Sequence, residues 1–162
     1  MKSTELLELL SEFYANKLAV RQRHDAAARY VADYDFNNTY QYVIAREDLQ
    51  LNWLRDAITD MGGTLTDVVE PELRISGKGA DLQRSLISTD RDDAQAFVDK
   101  WRPRLSTLTH ARHRNMLNVI LGETLEHKRF FEQALAGRSD LLGRRADGAG
   151  TGGGVLSTRW VE

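Results

Sequence analysis

Glu47 occupies a position where an amphipathic helix normally carries an apolar side chain. It falls between Val43 and Leu54 in the inner stripe of a helical segment, with Gln50 one turn on and on the same face. A buried glutamate must be protonated, paired or metal-bound, because an isolated one costs several kcal/mol. Other segments carry matching intrusions. His24 lies between Val20 and Ala27 with Lys17 two turns earlier, while His113 and His127 face inward on the last long segment and Glu123 sits at its edge. Two chemistries fit these residue types. Histidines and carboxylates converging in a bundle core bind iron, manganese or zinc. The same residues also make a satisfied polar layer, with Glu47 paired to His24 or Lys17 and Gln50 bonded across the bundle.

The elements that would position these groups are helical. The only prolines are Pro71 and Pro103, and apolar residues recur at spacings of three and four. The pattern predicts a first helix from Ser3 to about Asp33 and a turn over Tyr34 to Asn38. A second helix follows from about Thr39, stopped by Gly62-Gly63. Residues 62–88 break the periodicity, with brief apolar pieces around Val68 and Ile75 and one helical turn near Leu82 to Ile87. A connection of that length in a helical bundle suits a crossover that makes the flanking helices parallel. Thr89 is expected to cap the third helix, with Pro103 kinking it or splitting off its last turn. The fourth is expected from about Thr109 to Ala136, with Gly137 as its stop. The expected fold class is all-α: a four-helix bundle with a long crossover between helices 2 and 3.

Helical rise allows the heights to be compared. At about 1.5 Å per residue, Glu47 lies roughly 16 Å below the first hairpin turn in a bundle roughly 40 Å tall. With the crossover, the matching level falls at His24 on the first helix, at Asp92, Asp93 or Gln95 on the third, and near residue 125, between Glu123 and His127, on the fourth. Four helices then deliver polar groups to one layer.

Composition narrows the function classes. The chain has 162 residues, 41% hydrophobic and 28% charged, with a net charge of -2. That suits one domain with a sizeable core and argues against a nucleic-acid partner. There are no cysteines, which excludes disulfides, thiolate metal sites and cysteine nucleophiles. No apolar run approaches the roughly 20 residues needed to cross a bilayer, and Glu5 and Glu8 interrupt the first ten residues where a signal peptide would be apolar. The expected location is cytoplasmic, with no membrane partner.

The stretch Tyr42-Val43-Ile44-Ala45-Arg46-Glu47-Asp48-Leu49-Gln50-Leu51-Asn52-Trp53-Leu54, followed by Met61-Gly62-Gly63 and the long connection, resembles the ferritin-like superfamily. The resemblance is particularly to its rubrerythrin-type and bacterioferritin-type members, and it covers about Glu5 to Leu135. In that family the second and fourth helices each carry a Glu-x-x-His pair, and the first and third each add a glutamate, so that two iron atoms are held. The resemblance places Glu47 and His127 on ligand positions. Gln50 replaces a histidine, Thr124 replaces a glutamate, and His24 stands at the level of the first helix's glutamate. Glu123 is the neighbouring carboxylate. What is implied is an altered core site of Glu47, His127, Glu123 and His24, holding iron or manganese and handling oxygen or peroxide. The alternative is a catalytically inactive bundle acting as a dimeric binding or scaffold protein.

Tyr42, Leu49 and Trp53 form a second apolar stripe on helix 2, away from Glu47, and predict a homodimer contact. His110 and His113, near the start of the fourth helix, read as a surface and a core histidine. The domain division is a bundle over 1–137, a charged and glycine-rich linker over 138–154 and an apolar peptide over 155–162. Val155, Leu156, Trp160 and Val161 predict that this peptide docks, on its own bundle, on a dimer partner or on another protein.

Overall fold

The computed structural model describes residues 2–66, 73–138 and 141–142. Among them there are four helices and no strand: α1 Ser3–Ala28, α2 Tyr34–Asp60, α3 Gly79–Leu105 and α4 Ala111–Leu135. The apolar piece at Val68, most of the linker and the terminal peptide lie outside the described residues.

The first turn lies earlier than the periodicity predicts. Helix α1 ends at Ala28 rather than near Asp33, and Tyr34 to Asn38 form the first turn of α2 instead of the connection. The cause is local capping. Asp33 accepts a hydrogen bond from the Phe36 backbone N–H at 2.7 Å, and Asn37 donates to the carbonyl of Ala28 at 2.9 Å. Helix α2 ends as expected, with Gly62 at a φ of +79°. Helix α3 departs most from expectation, starting at Gly79, ten residues before Thr89. Thr89 is not its cap; its hydroxyl donates back to the Ser85 carbonyl at 3.0 Å within the helix. Leu82, Leu86 and Ile87 are buried and hold this added length against the bundle. Pro103 lies inside α3, which continues to Leu105. Gly137, at a φ of +95°, follows α4 as predicted.

Contacts along each seam fix the relative directions of the helices. Helix α1 opposes α2 through Tyr14 with Arg55, Arg21 with Asp48 and His24 with Glu47. It also opposes α3, through Glu12 with Arg104, Asn16 with Lys100 and Arg23 with Asp90. Helix α4 opposes α3 through Arg84 with the Leu135 carbonyl and Gln95 with Lys128, and opposes α2 through Tyr42 with Phe130 and Gln50 with Glu123.

Two apolar clusters fill the bundle, one at each end. The first gathers Leu10, Phe13, Leu54, Ile58, Phe97, Trp101 and Leu117. Within it Phe13 packs edge-on against Trp101 at 4.9 Å and Phe97 at 5.3 Å. The second gathers Ala27, Phe36, Tyr40, Val43, Leu86, Phe130 and Phe131. Each fully buried large apolar side chain stabilises the fold by about 1.5–3 kcal/mol. Between the clusters, by position along every helix, lie the buried polar residues Lys17, His24, Glu47, Gln50, Asp90, Thr124 and His127.

Candidate functional site

The polar layer is built around Glu47, which is 0% exposed. One carboxylate oxygen, Oε1, lies 2.5 Å from His24 Nδ1. The other, Oε2, lies 3.2 Å from the Lys17 ammonium, an ion pair without hydrogen-bond geometry. Lys17 also donates to the Thr124 hydroxyl at 3.4 Å, and that hydroxyl donates to the Ile120 carbonyl at 2.8 Å. Burial alone would raise the Glu47 carboxyl, but the charges of His24 and Lys17 outweigh it and hold its pKa at about 2. Burial would likewise lower His24. Glu47, by charge and hydrogen bond, and then Asp90 overcome that and raise the imidazole above its ordinary value. Glu47 is therefore ionised, and His24 holds its second ring proton to higher pH than a free imidazole.

Asp90 extends the network toward α3. It accepts from Arg23 at 2.8 Å and from the Tyr40 hydroxyl, and its Oδ1 lies 3.9 Å from His24 Nε2. Burial, followed by the charge of Asp90 and the hydrogen bond to it, pushes the Tyr40 phenol well above its ordinary value, so Tyr40 stays a neutral donor. Arg23 is partly exposed and also reaches Asp93 at 3.4 Å, which links the buried layer to the surface.

His24, Glu47 and His127 all lie in the layer, but Glu123 does not join them. Its carboxylate is drawn to the seam between α2 and α4, where it accepts from Arg46 Nε at 2.7 Å and Gln50 Nε2 at 2.8 Å. His127 is 3% exposed, and burial lowers its pKa to about 3, opposed by Glu47 and assisted by Lys17 and His24. It is a neutral imidazole. On α3 the buried carboxylate is Asp90, whereas the expected Asp92 and Asp93 are solvent-exposed at 68% and 48%. Sequence reasoning missed Asp90 by starting α3 too late. A helix from Gly79 places Leu86, Asp90, Ala94 and Phe97 on one stripe, so the signal was present.

Whether these residues suit a metal ion is a question of donors. Among the described residues, no three His, Asp or Glu side chains form a group that could hold one. Both oxygens of Glu47 already face nitrogen atoms, and Lys17 brings an ammonium to the oxygen His24 leaves free. A divalent ion would have to displace that ammonium and meet an imidazole whose raised pKa favours two protonated nitrogens. As arranged, the layer does not fit iron or manganese. What it does is hold charge apart from water in a fixed order.

Comparison with protein-family models, curated proteins and solved structures finds no match to this chain. Among the described residues no helix is long and apolar enough to cross a membrane.

Proposed function

We propose that this chain is a ferritin-like bundle in which Lys17 and His24 supply the positive charge that metal ions supply in that family, and that it acts as a binding or scaffold protein. The observation that carries this reading is the 3.2 Å approach of Lys17 Nζ to Glu47 Oε2, with His24 on Oε1. Support for the topology comes from direction. Helices α2 and α3 both oppose α1 and so point the same way, which calls for a connection along the bundle length. A helix of 27 residues, such as α2, is about 40 Å long, and the 18 residues from 61 to 78 span up to about 60 Å when extended.

The binding surface we assign is the outer face of α2 and α4. Leu49 is 39% and Val119 51% exposed, and the register set by Gln50 with Glu123 and Tyr42 with Phe130 brings Val119 level with Trp53. Tyr42 and Trp53 are half-buried against the two clusters, so the expected stripe contributes their outer edges only. We propose that a second copy covers this face. Light scattering tests it: a dimer mass that falls to monomer in Leu49→Glu/Val119→Glu supports the surface, and a monomer in the wild type removes it.

A second reading keeps Glu47, His24, Glu123 and His127 as ligands of iron or manganese. It draws on Gln50 Oε1, which is buried without a hydrogen bond, and on the neutral His127, and it requires Lys17 to leave Glu47 Oε2 and Glu123 to leave Arg46 and Gln50. Calorimetric titration with Mn(II), and anaerobically with Fe(II), separates the two. The charge-network reading expects no saturable uptake. Stoichiometric uptake abolished by Glu47→Ala would establish the second.

A further inference from the structure

The end of the bundle remote from Ala28 and Leu135 holds a cleft of about 410 Å³, lined by Met61, His110, His113 and Met116 among others. The donors are unusual for so small a space. The chain has three methionines and four histidines, and two of each line this cleft. We propose that the cleft is a copper(I) site in which the Met61 and Met116 thioethers and the His110 and His113 imidazoles supply the donors.

Local structure places these groups. Met61 is the C-cap of α2 and His110 the N-cap of α4, while His113 and Met116 follow at intervals of three on one face of α4. The two imidazoles lie 4.2 Å apart between ring centroids. His110 Nδ1 accepts from the His113 backbone N–H at 3.4 Å, a long bond that leaves the ring proton on Nε2, so ligation by His110 means giving up this cap. His113 Nδ1 is buried and has no hydrogen-bond partner.

Donor softness names the metal. Thioether sulfur selects copper(I), imidazole also suits copper, and neither thioether has useful affinity for magnesium or calcium. Copper(I) needs only a few neutral donors, so Met and His can hold it without the third carboxylate or histidine that a harder ion would want. Charge is also favourable to a monovalent cation. The positive start of α4 and Arg112 are offset by Asp56, Asp60 and the negative end of α2. Trp53 and Ala57 give the cleft an apolar wall that limits water.

The test is a competition titration of the full chain under reducing conditions, with Cu(I) held by a chromophoric chelator, repeated with Ag(I) as a redox-inert probe. The wild type should withdraw one Cu(I) per chain. Changes in outer-shell residues weaken metal sites by about 10- to 100-fold, so loss of both thioethers in Met61→Leu/Met116→Leu should cost at least about 100-fold. His110→Gln, at an exposed position, should also weaken binding without touching the core. Lys17→Met/Glu47→Gln, which neutralises the buried pair from both sides, should leave it intact, and this separates the site from the polar layer. No withdrawal of Cu(I) by the wild type would overturn the proposal, as would equal affinity in the methionine variant. So would Zn(II) binding as tight as Cu(I), because it would mean the sulfurs contribute nothing.

Discussion

Replacing Lys17 by methionine removes one charge from a pair of which both members are at most 1% exposed. At 3.2 Å and an effective dielectric constant near 20, the attraction between Lys17 and Glu47 is about 5 kcal/mol. Much of that is spent on desolvation in the intact pair, but the variant keeps the cost of burying Glu47 and loses one compensating cation. Breaking buried pairs from one side typically costs about 3–5 kcal/mol. His24 still neutralises part of the charge, so the lower end, about 3 kcal/mol near neutral pH, is the expected loss. For a chain of this length that corresponds to a fall in Tm of roughly 6–12 °C. Urea unfolding followed by circular dichroism measures it, with an unchanged m-value as the check on two-state behaviour. In acid the deficit should shrink, since protonated Glu47 no longer needs a cation. Lys17→Met/Glu47→Gln should recover most of the loss, because a neutral pair of similar shape can replace a buried ion pair at little cost. A single-variant loss below about 1 kcal/mol, in the range of exposed pairs, would refute the reasoning, as would a double variant that sums both single losses.

Acid should unfold the protein through His127. Its pKa is lowered from 6.5 to about 3, so its contribution is complete above 6.5 and is lost at about 1.4 kcal/mol per unit as pH falls below that value, with Glu47 adding a second loss below 4.5. His127→Gln should flatten the upper part of that slope in urea titrations at stepped pH. His24 acts on the other side: its raised pKa gives stability that is complete below 6.5 and lost as pH rises through the folded value, so His24→Gln should flatten the alkaline limb. Tyr40→Phe leaves buried Asp90 without one donor and should cost about 1.5–3 kcal/mol, the range for hydrogen bonds to charged groups, in the same unfolding assay. Asp33→Ala removes the α2 N-cap and should cost about 1 kcal/mol, with faster amide exchange confined to the start of α2.

Much of the layer was legible in the sequence because helical periodicity makes a polar residue in an apolar stripe conspicuous. Glu47, His24, Gln50 and His127 were found that way, and all four are buried. What periodicity could not show was direction of reach. Glu123 shares a helix with His127, yet Arg46 and Gln50 draw it to the α2–α4 seam. Lys17 stood out as polar, but only the side-chain geometry shows its ammonium on the oxygen that His24 leaves free. The errors in the first turn and in α3 share a cause. Periodicity runs the first helix on to Asp33, which instead caps α2, and it leaves only one helical turn near Leu82 to Ile87 because Gly77 and Gly79 precede it. Gly79 is in fact the first residue of α3, with a φ of +65°.

The charge assignment at the centre of this account is tested most directly by nitrogen-15 NMR of the histidine side chains titrated through pH 6.5. His24 should show two protonated ring nitrogens and keep them as the pH is raised past its ordinary value of 6.5, while His127 should show one protonated nitrogen and remain neutral well below 6.5. A His24 ring that is neutral at pH 6.5, with its Glu47-facing nitrogen unprotonated, would contradict the account.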